Sequence, residues 1–99
     1  MLTALVSLSA FAQEKGFVRG NVGDGDFGGP MIGAAVTVKG KPGLGTSTDF
    51  DGNYSLPLDP GNYTIEISFI SYATQSFTDV EVKPGEVLMI DAVLSSAIE

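Results

Sequence analysis

The sequence predicts an all-β protein, built as a seven-stranded antiparallel sandwich. From Phe17 onward apolar residues recur at every second position, which is the period of a strand with one buried and one wet face. Turn signals rich in Gly, Pro, Asn and Asp interrupt this pattern about every eight to twelve residues, as in sandwich domains. No amphipathic helix of useful length follows Gln13. These observations together predict short strands packed in two sheets.

Two strands carry features that predict their place in the sheets. Pro57 has no backbone N–H to donate, so its strand is predicted to lie at a sheet edge or to turn that position away from a partner strand. The apolar residues Phe77 and Val80 lie on different faces of one run, which predicts a β-bulge or corner near Thr78 and Asp79. The seven predicted strands are residues 17–22, 34–39, 46–50, 53–58, 62–69, 77–82 and 87–94. The predicted core consists of Val18, Val36, Val38, Tyr54, Leu56, Ile65, Ile67, Phe69, Ile90 and Leu94.

Charge and composition exclude several classes of function. The net charge is −7 and the five basic residues never cluster, so a nucleic acid would be repelled. The chain has no Cys and no His, which removes thiol nucleophiles, disulfides, Cys-based zinc sites and His-dependent triads. We therefore expect no catalytic residues, no cofactor and no enzyme activity.

The first twelve residues are apolar and uncharged. Ala10-Phe11-Ala12 fits the small-x-small pattern that signal peptidase cuts after, which would leave Gln13 as the first mature residue. The alternative is an apolar first strand or helix of the mature fold. We expect residues 1–12 to be the remnant of a signal peptide, and the mature protein to work outside the cytoplasm.

The stretch Asp49-Phe50-Asp51-Gly52 permits two interpretations. Asp side chains accept hydrogen bonds from N–H groups two residues on, and Gly52 can take the positive φ that closes a hairpin. Two carboxylates followed by Gly also resemble half of a calcium loop. With Gly52 at the sixth loop position, however, the first and twelfth positions hold Ser47 and Leu58, which are not calcium ligands. We expect a structural turn signature formed by Asp49, Asp51, Gly52 and Tyr54, with a cation site at Asp49 and Asp51 as the lesser alternative.

Other polar and aromatic residues also permit a structural and a functional interpretation. Asp24 and Asp26 lie in a Gly-rich loop and are expected to be solvated. The aromatic residues could form a platform for a sugar ring, but their period-two placement favours core packing, least clearly for Tyr72. This set consists of Tyr54, Tyr63, Phe69 and Tyr72.

Four stretches resemble the carboxypeptidase regulatory-like domains. Residues 30–40 resemble the opening P-L-x-G-A-x-V-x-V-K-G of that family, and residues 48–56 resemble its T-D-x-D-G-x-Y/F-S-L hairpin. Residues 60–63 and 69–75 resemble its P-G-x-Y and V-G-Y-x-T-Q stretches, with Ser71 where the family more often has Gly. The four stretches keep the order and spacing that they have in the family, and the resemblance extends from Val18 to Leu94.

The resemblance implies a prealbumin-like, Ig-like Greek-key sandwich over residues 13–95, with residues 96–99 beginning a linker. It implies a non-enzymatic periplasmic domain at the N-terminus of a TonB-dependent, SusC/RagA-like outer-membrane receptor, assisting nutrient uptake by protein docking. Its partners would be the plug and barrel of the same receptor or other periplasmic or outer-membrane proteins. The alternatives are a free-standing secreted or surface module that binds glycan or protein, and an accessory domain of a zinc carboxypeptidase.

Overall fold

The computed structural model describes residues 14–97, which form eight strands in two four-stranded sheets. The predicted signal-peptide remnant, residues 1–12, lies outside the described residues, as do Gln13 and the last two residues of the predicted linker 96–99. The strands are β1 (Gly16–Asp24), β2 (Ala35–Val38), β3 (Gly45–Ser47), β4 (Asn53–Leu58), β5 (Gly61–Ser68), β6 (Gln75–Val82), β7 (Val87–Met89) and β8 (Ala92–Leu94). The two sheets confirm the predicted β-sandwich. Nowhere between residues 14 and 97 is there a helix long and apolar enough to cross a membrane.

The first sheet is centred on β1, which pairs with β4 on one side and with β7 and β8 on the other. The β1–β4 pair is antiparallel, with Phe17 opposite Pro57. Because β4 is the last strand in the order of its sheet, the edge position predicted from Pro57 is confirmed. The pairs of β1 with β7 and β8 are parallel, where antiparallel pairing was expected. The chain reaches β7 from β6, a strand of the other sheet, so no hairpin turn imposes an antiparallel pairing there.

The predicted seventh strand is divided into β7 and β8, which makes eight strands rather than seven. At the break the N–H of Asn21 donates to Oδ1 of Asp91 at 2.8 Å, so a carboxylate replaces a backbone acceptor. The carbonyl oxygen of Ile90 accepts a hydrogen bond from the Tyr54 hydroxyl at 2.6 Å. The Ile90 carbonyl also lies against Gly20, where a Cβ atom would overlap it. These contacts interrupt the ladder without changing its register, since Val18 pairs with Leu88 and Val22 with Ala92.

The second sheet has the order β3-β2-β5-β6. Its β5–β6 ladder shifts register between Tyr63, which pairs with Val80, and Ile65, which pairs with Phe77. One extra residue therefore lies in β6, and Asp79 there has a φ of 55°. This bulge confirms the irregularity predicted near Thr78 and Asp79.

The core lies between the two sheets and follows the alternation in the sequence. All predicted core residues are buried except Phe69 and Ile90, which are partly buried and packed against the core. The buried hydrophobic residues not in the prediction are Val22, Met31, Ala34, Leu58, Val80, Val82 and Ala92. Val80 and Val82 bring the second half of β6 into the core because the bulge turns that half inward.

Candidate functional site

The Asp49–Gly52 stretch connects the two sheets. The strand before it, β3, pairs with β2, and the strand after it, β4, pairs with β1. The predicted hairpin is therefore wrong, because the flanking strands do not pair with each other but belong to opposite layers. The stretch carries the chain from one sheet across to the other.

Within this turn the Asp49 carboxylate binds the backbone. Its Oδ1 accepts hydrogen bonds from the N–H groups of Asp51 and Asn53, both at 2.9 Å. The backbone of Asp49 also donates to the Asn53 carbonyl and accepts from the Gly52 N–H, both at 2.9 Å. Gly52 has a φ of 78°, and a Cβ there would lie 2.6 Å from the Val22 carbonyl oxygen. These contacts support the structural interpretation, which stays a prediction until the variants below are measured.

We expect Asp49→Ala to lower the free energy of unfolding by about 1 kcal/mol, because two N–H groups lose their carboxylate acceptor. Asp51→Ala, which removes a second exposed carboxylate of the same turn, is the matched control and is expected to change it by less than about 0.5 kcal/mol. Urea unfolding of the full chain measures both values. Equal losses would contradict a turn held by Asp49. Calcium binding by calorimetry that disappears in Asp51→Ala would favour the cation site instead.

Asp24 and Asp26 connect the Gly-rich loop by hydrogen bonds to Tyr72 and to Ser96 near the C-terminus. Oδ1 of Asp24 accepts hydrogen bonds from the Phe27 N–H at 3.1 Å, the Asp26 N–H at 2.9 Å and the Tyr72 hydroxyl at 3.0 Å. Oδ1 of Asp26 accepts from the Ser96 N–H at 3.2 Å. Asp26 is exposed and Asp24 is partly exposed, as expected for solvated loop residues, but both carboxylates also accept hydrogen bonds from the protein. Among residues 14–97 no three Asp, Glu, His or Cys side chains gather as metal ligands.

The hydrogen bonds around Asp24 set the protonation of its carboxyl. Desolvation raises its pKa, but the hydrogen bonds from Phe27, Asp26 and Tyr72 together outweigh it, so the pKa lies below its ordinary value. Desolvation raises the pKa of the Tyr72 hydroxyl, and the hydrogen bond to the Asp24 carboxylate raises it further. Both shifts favour the bonded pair of a neutral hydroxyl and a charged carboxylate.

The aromatic residues contact the protein itself. Tyr54 is buried, and desolvation, followed by the charge of Asp91, raises its pKa to about 12. The Tyr63 hydroxyl donates to the Asp59 carbonyl at 2.6 Å. The rings of Phe69 and Tyr72 meet edge to face with centroids 5.7 Å apart. Core packing is thus observed for Tyr54, while Tyr63, Phe69 and Tyr72 are partly buried against the core.

An open groove of about 480 Å³ separates β6 from β7, the edge strands of the two sheets. Its apolar lining includes Phe77, Val80 and Leu88, and its charged lining includes Glu81 and Lys83. Val87 and Met89 on the β7 edge are 48% and 62% exposed. The alternation of apolar residues predicted the strand β7 but not its position at a sheet edge. That position depends on which strands pair, and the pairing of strands distant in sequence leaves no local signal.

The profile of the family described as carboxypeptidase regulatory-like domain matches residues 17–95, nearly the whole described chain. The chain belongs to this family. Within the carboxypeptidase regulatory-like domain, Ser71 occupies the position where the resemblance expects Gly, and its φ of 71° lies in the region that glycine favours.

This carboxypeptidase regulatory-like domain is similar to parts of larger proteins. It is 44% identical over 73 residues to the TonB-dependent receptor SusC of Bacteroides thetaiotaomicron, covering 71% of this chain and 7% of the receptor. It is 33% and 40% identical to the TonB-dependent receptors P3 and P39 of Formosa agariphila, covering 95% and 76% of this chain and 9% and 7% of those receptors. The chain spans less than a tenth of the length of these curated relatives.

Solved structures share the fold of the domain. A type II cohesin–X-dockerin complex from Acetivibrio cellulolyticus matches with a TM-score of 0.68 at 20% identity, over 82% of this chain and 58% of that one. The minor pilin of Streptococcus agalactiae matches with a TM-score of 0.59 at 13% identity, over 88% of this chain and 47% of that one. At these identities the likeness concerns the β-sandwich alone.

Proposed function

We propose that the chain is a non-enzymatic periplasmic accessory domain of a TonB-dependent outer-membrane receptor. The observation that carries this proposal is the 33–44% identity to three such receptors over 71–95% of the chain. In this role the domain precedes the plug and barrel and assists nutrient uptake by docking to protein. The same similarity supports an outer-membrane location, with the domain on the periplasmic side.

The outer edge of β7, with which no strand pairs among residues 14–97, supports a docking role. The Glu86 carbonyl accepts from the Phe17 N–H, and the Ile90 N–H donates to the Arg19 carbonyl, so these groups point towards β1. Because backbone groups alternate along a strand, those of Val87 and Met89 point away from β1. A partner strand could pair there and place apolar side chains in the groove between β6 and β7.

Reading the encoding gene beyond codon 99 tests the proposal. The expected result is one reading frame that continues into the plug and barrel of a receptor, with the product in the outer-membrane fraction. An immediate stop codon after Glu99 would overturn the receptor assignment.

Two other results would redirect the assignment. Strong and selective binding of the isolated chain on a glycan array would favour a free-standing binding module, since a receptor accessory domain is expected to bind little glycan alone. A zinc carboxypeptidase catalytic domain in the same reading frame would favour an accessory role in that enzyme, whose metal ligands would then lie outside this chain.

A further inference from the structure

Large apolar side chains project from the loops at one end of the sandwich. Phe27, Phe50 and Ile70 have 87%, 82% and 83% of their surface exposed, and Ile32 has 49%. They lie in the loops that follow β1, β3 and β5. Most apolar residues of a soluble surface are scattered singly, whereas apolar residues gathered at one place indicate an interaction site. We call this surface, defined by Phe27, Ile32, Phe50 and Ile70, the loop end.

Hydrogen bonds hold the loops of the loop end to one another. The buried Thr48 hydroxyl accepts from the Ala34 N–H at 2.8 Å and donates to the Met31 carbonyl at 2.5 Å, which joins the loop of Ile32 to that of Phe50. The Tyr72 hydroxyl donates to Asp24, which joins the loop of Ile70 to that of Phe27. Such cross-links lower the entropy that the loops would lose on binding, so the loop end is arranged in advance of a partner.

Charge is distributed unevenly between the two ends. The loop end carries the carboxylates of Asp24, Asp26, Asp49 and Asp51. All four lysines lie at the opposite end, Lys15 before β1, Lys39 and Lys41 after β2, and Lys83 after β6. The remaining basic residue, Arg19, lies within β1, with its guanidinium 4.8 Å from the centre of the Phe17 ring. Among the described residues, the charged side chains in the loops of the loop end are thus all carboxylates.

We propose that the loop end docks onto a protein surface that has apolar pockets surrounded by Lys and Arg. Exposed aromatic anchors enter pockets on a partner, and complementary rim charges select that partner and steer its approach. An anionic membrane or a nucleic acid presents the wrong sign of charge to the four carboxylates. The inference rests on the proposed docking role and names the chemistry of the partner. The surface it assigns is separate from the β7 edge.

The test uses two peptides as probes of the partner's chemistry. The basic probe has three Lys-Phe-Lys-Leu repeats, and the acidic probe has three Glu-Phe-Glu-Leu repeats. Each is titrated into the ¹⁵N-labelled full chain while amide chemical shifts are followed. We expect the basic probe to bind at least about tenfold more tightly than the acidic one. The shifts are expected to be concentrated in residues 25–33, 48–52 and 69–72.

Two variants distinguish binding at the loop end from nonspecific binding to exposed apolar side chains. Phe27→Ser combined with Phe50→Ser is expected to weaken binding of the basic probe at least about fivefold. Leu44→Ser, in a loop at the opposite end, is the control and is expected to leave binding unchanged. Both variants change exposed side chains, so their amide spectra should otherwise overlay that of the parent chain.

Several results would overturn the inference. These are no binding of the basic probe at millimolar concentration, equal binding of both probes, shifts confined to β6 and β7, or equal losses in the two variants. Binding to phosphatidylglycerol vesicles that the double substitution abolishes would indicate a membrane surface instead. None of these results depends on the reading frame beyond codon 99, so the receptor assignment is tested independently of this inference.

Discussion

Gly20→Ala is expected to lower the free energy of unfolding by at least about 3 kcal/mol. A Cβ atom at this position would overlap the Ile90 carbonyl oxygen and lie 2.6 Å from its carbonyl carbon. Both are backbone atoms, so rotation of a side chain cannot relieve the overlap. The added methyl group must push the junction of β7 and β8 away from β1. Urea unfolding monitored by circular dichroism measures the loss.

Gly23→Ala is the matched control, because Gly23 lies in the same strand. The nearest atoms to a Cβ there are the Gly29 carbonyl oxygen at 3.7 Å and the Val93 side chain at 3.8 Å, both ordinary contacts. Its effect is expected to stay within about 1 kcal/mol, of either sign, since the Ala also restricts the unfolded chain. A loss in Gly20→Ala no larger than in Gly23→Ala would contradict the close approach of Ile90 to β1.

A double-mutant cycle tests whether the loss comes through the Ile90 carbonyl. In the parent chain, Tyr54→Phe removes the hydroxyl that donates to this carbonyl and is expected to cost about 1–2 kcal/mol. In the Gly20→Ala background the carbonyl is already displaced, so the same change should cost less. Additive losses would indicate that Gly20 acts at another place.

Much of the fold could be predicted because its signals are local. Alternation along each strand gives the buried face, Pro57 gives the edge position of β4, and the change of face after Phe77 gives the bulge in β6. These features depend on dihedral preferences and side-chain period within a few residues. The break between β7 and β8 lacks such a signal, since it depends on contacts of Ile90 and Asp91 with residues about seventy positions earlier.

The sequence predicted the hydrogen bonds within the Asp49 turn, but not that the turn connects the two sheets. Its sequence indicates a closed turn with Asp as acceptor and Gly at positive φ, and the structure contains those contacts. The sequence does not indicate whether the flanking strands pair, because the same turn chemistry serves a hairpin and a connection between layers. The loop end was likewise missed, because Phe27, Phe50 and Ile70 are far apart in sequence and only the sandwich brings their loops to one end.

Thr48→Val is expected to lower the free energy of unfolding by about 2–4 kcal/mol. The change keeps the shape of the side chain but removes the hydroxyl that pairs with both the Ala34 N–H and the Met31 carbonyl. Thr48 is 5% exposed, so water cannot readily replace the lost partners. Two backbone groups would then remain unpaired beside the core. Thermal and urea unfolding measure the effect.

Two further variants isolate the contribution of the Thr48 hydroxyl to stability. Thr48→Ser keeps it and loses one methyl group, so its cost is expected to be only about 1 kcal/mol. Thr46→Val makes the same replacement two residues earlier in β3, at a partly exposed position, and should change stability by less than about 0.5 kcal/mol. A Thr48→Val protein as stable as Thr46→Val would show that the hydroxyl contributes little.

Loss of the Thr48 hydroxyl also bears on the loop end. Because the hydroxyl joins the loop of Ile32 to that of Phe50, Thr48→Val should speed amide hydrogen exchange at residues 31–34 and 48–52 more than elsewhere. The basic probe should then bind more weakly, since ordering the loops becomes part of the cost of association. Faster amide exchange with unchanged affinity for the basic probe would mean that binding at the loop end does not depend on preorganised loops.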